Sequence, residues 1–585
     1  MSRSNNRNDS SQMKSIIQQD DQPVNQNEKP KCGKEQSNKN SSGQADNAAS
    51  PSSSAGPSSQ DESRSDDNQP VSSQREEATS SCCQLEDLRR LSQCETKLKP
   101  LSFSRSHTVL INVDAFNYGA ELISQEGTDL WLSNHVKMPY SPASFTFQMG
   151  LLKNKVLRWK LISKKLEALT KRTTVSADDV KEAILKYNPK YKDQWSFDAL
   201  STFVKCIPVS ENYFEALFPK IASLALKLPM EVKKAIPLLQ RGHSASITLS
   251  QVQISCLLAN AFFCTFPHRN TTSPKAEYHN YPSINFASLF GNWSERKKEK
   301  LRAIMYYFKV VTDTKLEGLV TFERHCLKDT GEPNWRDCKE KLQKLHVTSE
   351  GCIETEGTGM LQVDFASSWI GGGVLSSGLV QEEILFLMNP ELIVSRLFTE
   401  RLADDECLII TGSQQFSTYH GFSDSFEWTG PYTEQLKRDA WARLERQILV
   451  IDAMQFRHRW EQYNMRNITR ELNKAYCGFK KYQGHKNPDI ATGKWGCGAF
   501  NGDPQLKAVI QLMAAAKASR GLAFFTFRDE ELKKGLQQIY HLLVKEGTTV
   551  DKLYNLLEDY CAHQHKHIDL FSFIRKRIKP SKSRM

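Results

Sequence analysis

Residues 371–383 read GGGVLSSGLVQEE, so three adjacent glycines come just ahead of two adjacent glutamates. Glycine reaches positive φ and lets bare backbone amides approach an anion. A helix opening after the loop adds the positive end of its dipole. A diphosphate is the guest these features suit, although a flexible turn uses the same residues. A second glycine loop, ATGKWGCGAF (491–500), precedes a helix opening near Pro504. Its Gly493, Gly496 and Gly498 are interleaved with Trp495 and Phe500. Two such loops could clamp a diphosphate from both sides.

Glu382 and Glu383 are sequence neighbours, so on a helix they point about 100° apart. They are therefore not a carboxylate pair facing each other across a sugar ring. One can reach a scissile bond while the other grips a hydroxyl. Leu379, Val380 and Ile384 supply apolar neighbours. Partial desolvation and a like charge next door raise a carboxyl pKa, as a general acid requires. A solvated helix start would also favour Glu, because it suits the dipole. Asp364 sits in the apolar run VDFA and needs partners there. It is read as orienting the loop or the glutamates, or as a buried structural Asp.

These residues need a scaffold. The runs LEGLVTFE (316–323), GMLQVDFA (359–366), ECLIITG (406–412), QILVIDA (447–453) and GLAFFTF (521–527) read as buried strands. Helical runs at 381–402 and 504–519 lie among them. That alternation predicts an α/β layer architecture with a largely internal sheet, its ligands bound past strand ends. Upstream, after β-like pieces at 107–114, a helical region is expected to about 290, with one helix over 148–170. Capping boxes at Ser176/Asp179 and Ser250/Gln253 start two more, and Pro208, Pro229, Pro237 and Pro267 mark boundaries.

Residues 1–102 contain no aromatic residue, and 13 of residues 41–80 are Ser. A disordered tail is expected there, with at most a short helix near 84–92. Residues 1–100 carry 13 Lys+Arg and 15 Asp+Glu, whereas the whole chain is +11. The remainder is therefore basic, which favours a polyanionic partner. The chain opens without an apolar signal segment, and ISCLLANAFFCTF (254–266) is too short for a bilayer. The irregularly spaced cysteines suggest reduced thiols in an intracellular protein. CAHQHKH (561–567) would gather zinc ligands only on a strand, and LYNLLEDYCAH suggests a helix, so no metal is expected. Cys256, Cys264 and His268 read as core. The closing RKRIKPSKSR (575–584) is a basic tail and a candidate nuclear import signal. No Walker A, GxSxG or HExxH pattern occurs.

VDFASSWIGGGVLSSGLVQEEILFLMNPELIVSRLF (363–398) closely resembles the signature of the poly(ADP-ribose) glycohydrolase family, a glycine triplet followed by Gln-Glu-Glu. LLANAFFCTFP, HVTSEGCIE, ECLIITG, ELNKAYCGF and TGKWGCGAF resemble further segments of that family in the same order, so the likeness covers about 105–575. The resemblance implies a macrodomain-like three-layer α/β/α core with a mixed sheet over 301–574. A mostly helical accessory region over 103–300 would precede it. It also implies hydrolysis of ribose–ribose O-glycosidic bonds of poly(ADP-ribose), releasing ADP-ribose without a cofactor.

By motif position Glu383 would be the acid/base residue, Glu382 would hold ribose hydroxyls, and Asp364 would support them. Gly371, Gly372 and Gly373 with Gly498, Ala499 and Phe500 would cradle the diphosphate. Ile353, Glu354 and Phe527 would hold the adenine, and Gln381 completes the motif. Three positions depart from the family pattern: Ser367 and Lys494 replace Asn, and Phe422 replaces the Tyr that covers the ligand. Lys494 adds charge near phosphates, Phe422 keeps the aromatic face, and retained activity is expected. The partners implied are poly(ADP-ribose) chains on modified proteins, with no membrane and no sequence-specific nucleic acid. A monomer is expected, in nucleus and cytoplasm and in the DNA damage response. The alternatives are a non-catalytic ADP-ribose reader and a hydrolase of mono-ADP-ribose on side chains.

Overall fold

The computed structural model describes residues 82–148, 154–208, 211–271, 273–329, 331–563 and 568–578. Its strands are β1 (His107–Val109), β2 (Phe145–Gln148), β3 (Asn154–Leu157), β4 (Ala245–Ser250), β5 (Leu319–Cys326), β6 (Leu345–Thr348), β7 (Leu361–Ala366), β8 (Glu406–Thr411), β9 (Ser417–His420), β10 (Glu427–Pro431), β11 (Gln447–Asp452), β12 (Ile490–Gly493) and β13 (Leu522–Phe525). The longer helices are α1 (Arg158–Thr170), α2 (Ala177–Tyr187), α3 (Asp198–Cys206), α4 (Phe214–Leu226), α5 (Gln251–Phe262), α6 (Glu295–Asp313), α7 (Gln381–Met388), α8 (Met465–Phe479), α9 (Pro504–Lys517), α10 (Glu530–Lys545), α11 (Val550–Ala562) and α12 (Leu570–Arg577).

Nine strands form one mixed sheet in the order β1-β4-β5-β8-β11-β7-β12-β13-β6. The run β11-β7-β12-β13-β6 is parallel, and β8 joins it antiparallel to β11. Both faces are covered. Along β8, Leu408 and Ile410 pack into one apolar cluster while Cys407 and Ile409 pack into the other. Along β11, Ile448 and Val450 face the first cluster and Leu449 and Ile451 the second. This two-residue alternation, with apolar side chains on both faces, is why the strands read as unbroken hydrophobic runs. Helices α1, α2, α4, α5 and α6 cover the first face, and α8, α9, α10 and α11 the second. The expected three-layer α/β/α arrangement is therefore present.

The five strands expected from apolar runs are β5, β7, β8, β11 and β13, each within a few residues of its expected span. Both capping boxes form: Ser176 Oγ accepts the Asp179 amide and Ser250 Oγ accepts the Gln253 amide. Other expectations need correction. The helix expected over 148–170 begins only at Arg158, because the β-favouring FTFQ and KVL pair as the hairpin β2–β3. The helical region also contains β4, whose ASITLS sits between β1 and β5. The sheet therefore continues across residue 300, with β1 and β4 contributed from before it.

The tail expected over 1–102 is packed from residue 82 on. Its leucines supply the apolar surface that the upstream residues lack. Leu88 is buried with Ile353, Met360 and Phe525, and Leu101 with Val109, Ile111 and Leu319. The helix suggested near 84–92 is two single turns, Leu85–Asp87 and Leu91–Gln93. The tail expected over residues 1–81 lies outside the described residues. The basic run expected from 575 starts inside α12, whose Phe571 and Ile574 are buried; residues 579–585 lie outside. Cys561 is the penultimate residue of α11, which His563 caps, while His565 and His567 fall outside the described residues. No helix among the described residues is long and apolar enough to cross a membrane.

Candidate active site

The parallel strands β7, β12 and β13 deliver their C-terminal loops to one end of the sheet, where the sequence-predicted residues meet. Strand β7 pairs with β12 only through Leu361 and Gln362. Further along β7 the two strands no longer pair, and Gln381 takes the place of a neighbouring strand. Its side-chain oxygen accepts the Phe365 amide (2.8 Å), and its nitrogen donates to the Glu354 carboxylate (3.1 Å). Gln381 therefore pins the start of α7 both to the strand and to the loop that carries Glu354.

Both glutamates are buried. Glu382 accepts the amides of Ser367 (2.8 Å) and Gly371 (2.7 Å), one on each oxygen. Glu383 likewise accepts the amides of Gly373 (2.7 Å) and Val380 (2.8 Å). The two carboxylates converge on Gly372. A Cβ there would stand 2.4 Å from Glu383 Oε1 and 2.7 Å from Glu382 Oε2, and the residue has φ +45°. Only glycine leaves room for both acids at that point.

This geometry corrects the sequence reading of the triplet. The Gly371 and Gly373 amides bind the protein's own glutamates, and the Gly372 amide donates to Trp369 O (3.0 Å). None of the three is left for a diphosphate. Further along the loop, the amides of Leu375, Ser377, Gly378 and Leu379 make no hydrogen bond to the described residues; Leu375 and Leu379 are buried, Gly378 is half-buried and Ser377 exposed. The amides of Gly498, Ala499 and Phe500 in the second loop are likewise unbonded to the described residues, and Gly498 and Ala499 are exposed. The unbonded amides of Ser377, Gly378, Gly498, Ala499 and Phe500 are the ones accessible to an anion.

Two cations that sequence reasoning missed shape the first loop. Lys300, buried on α6, donates to the carbonyls of Gly373 (2.9 Å), Ser376 (2.8 Å), Val374 (3.3 Å) and Gly378. Burial pushes its ammonium down to about 7, partly countered by the charge of Glu383. Arg396 donates to Ile370 O (2.6 Å), Gly372 O (3.1 Å) and Ser283 O (2.7 Å). Lys300 lies in SERKKEKLR, which reads as a solvated charged helix. Only the packing of α6 under the loop reveals it.

Asp364 is fully buried, and neither of its oxygens has a hydrogen-bond partner among the described residues. Burial, with the Glu383 and Glu354 charges nearby, drives its carboxyl well above the ordinary range. Glu382 is also driven up by burial and by Asp364, but its two amide donors pull back toward the anion. Asp364, with no donor to stabilise an anion, is the member that keeps a proton. It sits among the acids without a hydrogen bond to loop or glutamate, so the orienting role expected of it is not exercised through such a bond.

In the Glu354 loop, Ile353 is buried with Phe525, Phe527 packs against them, and Phe527 meets Phe365 edge-on at 6.4 Å. Gln362 holds the loop by donating to Ile353 O (2.7 Å). Phe422 is 53% exposed at the tip between β9 and β10. Arg296 ties that tip to the first loop, reaching Asp424, Ser423 Oγ and Ser377 O. Lys494, expected to add charge for phosphates, is 3.5 Å from Asp529, which already answers its charge. Ser367 uses its hydroxyl to accept the Trp369 amide (3.2 Å).

The sequence matches two family descriptions: "Poly (ADP-ribose) glycohydrolase (PARG), Macro domain fold" over residues 332–534, and the helical domain of the same family over 208–324. It is 30% identical to poly(ADP-ribose) glycohydrolase 1 of Arabidopsis thaliana, over 62% of this chain and 82% of that protein. It is 32% identical to poly(ADP-ribose) glycohydrolase 1 of Caenorhabditis elegans, over 66% of this chain and 50% of that protein. The chain belongs to the poly(ADP-ribose) glycohydrolase family.

As a poly(ADP-ribose) glycohydrolase family member, it has the macro domain fold with a helical region before it. The positions carried over from the family motif gather at one end of the sheet around the glutamate pair: Asp364, Ser367, the triplet and Gln381 directly, and Glu354 through Gln381. The arrangement can do acid–base chemistry at a bond held between the open amides and Glu383. Each Glu383 oxygen accepts one amide and keeps a second lone pair for a substrate proton.

Proposed function

We propose that this chain hydrolyses the ribose–ribose O-glycosidic bonds of poly(ADP-ribose), with Glu383 as general acid and then general base. One observation carries the assignment: the two glutamates are held by backbone amides at Gly372, on a loop whose later amides stand open to a phosphate. Glu383 would protonate the departing ribose oxygen as positive charge builds on the sugar, then take a proton from the attacking water. Glu382, fixed by Ser367 and Gly371, keeps lone pairs for a ribose hydroxyl. The open amides of the two loops would hold the diphosphate, and Ile353, Glu354 and Phe527 the adenine, with Phe422 covering the ligand.

A reader that binds chains without cutting them would use the same loops. The buried, amide-held acid pair favours hydrolysis, because binding alone does not require two carboxylates beside a polyanion. The test is Glu383→Ala with poly(ADP-ribose) as substrate and ADP-ribose release as readout. Release should fall by at least roughly 100-fold, a typical general acid–base contribution, with ADP-ribose still bound. Wild-type turnover in that variant would reject Glu383 as the acid. The same reading places the enzyme as a monomer in nucleus and cytoplasm, acting after DNA damage. The basic run 575–584 supports the nuclear share, and nuclear exclusion that is unchanged on restoring or deleting that run would remove the support.

A further inference from the structure

The loop after β11 carries a surface that the proposed chemistry does not use. Arg457, His458, Arg459 and Trp460 are consecutive and all exposed. Trp460 is 65% exposed, unusual for a residue type that is mostly buried. His458 lies parallel to it, with ring centroids 5.8 Å apart and planes 4° apart. The guanidinium groups of Arg457, Arg459 and nearby Arg466 make no ion pair or hydrogen bond with the described residues. The one acid among them, Glu461, spends an oxygen on the Arg457 amide (3.0 Å).

The surface is fastened to the loop with the open amides. The Phe456 amide donates to Phe500 O (3.1 Å), and Asn501 Nδ2 donates to Arg457 O (3.1 Å). The Asp503 amide donates to Gln462 Oε1 (2.8 Å). The presentation is therefore fixed relative to Gly498, Ala499 and Phe500. Exposed aromatic rings interleaved with unpaired guanidiniums suit a strand that alternates bases and phosphates. Each unit of poly(ADP-ribose) supplies one purine and one pyrophosphate.

We infer that residues 457–460 form a second subsite for the poly(ADP-ribose) chain, taking a unit outside the cleft. Its adenine stacks on Trp460, backed by His458, and its pyrophosphate meets Arg457 and Arg459. The inference rests on the proposed function, since it needs the chain to be the substrate.

The experiment compares wild type, Trp460→Ala and the double variant Arg457→Ala/Arg459→Ala in steady-state release of ADP-ribose from long chains. Free ADP-ribose serves as competitive inhibitor in the same assay. The expected result is a KM for chains raised roughly 10-fold, the scale of one lost base stack, with kcat and the inhibition constant of ADP-ribose unchanged. In the arginine variant the KM should also depend less on salt. An unchanged KM overturns the inference. So does a parallel rise in KM and inhibition constant, which would make these residues part of the cleft itself. If single-stranded DNA binds wild type but not Trp460→Ala while chain KM holds, the surface reads nucleic acid and the inference falls. A wild-type protein that releases no ADP-ribose fails the proposed function instead, so the two failures are told apart.

Discussion

Replacing Gly372 with alanine separates two accounts of the glycine triplet. If the triplet's amides grip the diphosphate, the variant should lose affinity for ADP-ribose. The structure predicts loss of turnover instead. The new Cβ would stand 2.4 Å from Glu383 Oε1 and 2.7 Å from Glu382 Oε2, far inside contact distance, at φ +45°. A left-handed alanine costs about 1–2 kcal/mol. Relieving the overlap means swinging at least one carboxylate off its amide, Gly373 for Glu383 or Ser367 for Glu382. A hydrogen bond to a charged group contributes about 1.5–3 kcal/mol. The expected stability loss is then about 2.5–5 kcal/mol, seen as a lower denaturation midpoint. Displacing Glu383 by about 1 Å should lower kcat on the order of 100-fold. ADP-ribose affinity, measured by titration calorimetry, should change by less than about threefold, because the Cβ stands closest to Glu383 and the bond it displaces there, to the Gly373 amide, does not face the ligand. The companion variant Gly498→Val should do the reverse. Nothing lies within 4 Å of a Cβ at Gly498, so the side chain obstructs only the ligand. Affinity should fall roughly 10-fold or more with stability unchanged. If Gly372→Ala lost affinity while kcat at saturation held, the assignment of the triplet amides to the glutamates would be refuted.

Two further variants probe the groups around that loop. Lys300 holds four loop carbonyls as an ammonium, and its pKa lies near 7 because of burial. The charged groups facing it are Glu383, Lys297, Arg296 and Arg396. Wild-type kcat should therefore fall as pH rises through about 7, and Lys300→Met should lower kcat and erase that limb. Stability should move the other way: from about 7 toward the unfolded lysine value of about 10.4 the unfolded chain binds the extra proton, so the wild type gains stability relative to Lys300→Met. A variant with the wild-type basic limb would assign the limb elsewhere. Gln381→Glu would set an acceptor against the Glu354 carboxylate and Val363 O in place of a donor. Melting temperature and adenine-side affinity should both drop, affinity by roughly 10-fold. Unchanged affinity for ADP-ribose would mean that Gln381 does not position Glu354.

The sheet was legible because its central strands are buried on both faces. Residues such as ECLIIT and QILVID carry apolar side chains toward both clusters and so stand out as runs. Strands β6 and β12 were not singled out: LHVT and IATG are four residues each, too short to show a period. β4 was hidden because ASITLS opens directly into the capping box of α5. The acids were legible by type, and their neighbours only in part. A buried lysine in SERKKEKLR looks like any solvated lysine, since the sequence does not say which face of α6 lies under the loop. The triplet is the sharpest case. Glycine in sequence says that backbone must approach something closely, and the likeness to an anion loop is correct as far as it goes. It does not say whose anion. Here the amides meet the carboxyl oxygens of Glu382 and Glu383, supplied by the next helix of the same chain, and φ +45° at Gly372 is the condition for seating both. The accessible unbonded amides lie at 377, 378 and 498–500, where three of the five residues are not glycine. An anion approaching from solvent would meet the exposed Ser377 and Ala499 amides beside small side chains. At Gly372 the missing Cβ makes room for the protein's own acids, and at Gly498 it leaves room for a ligand.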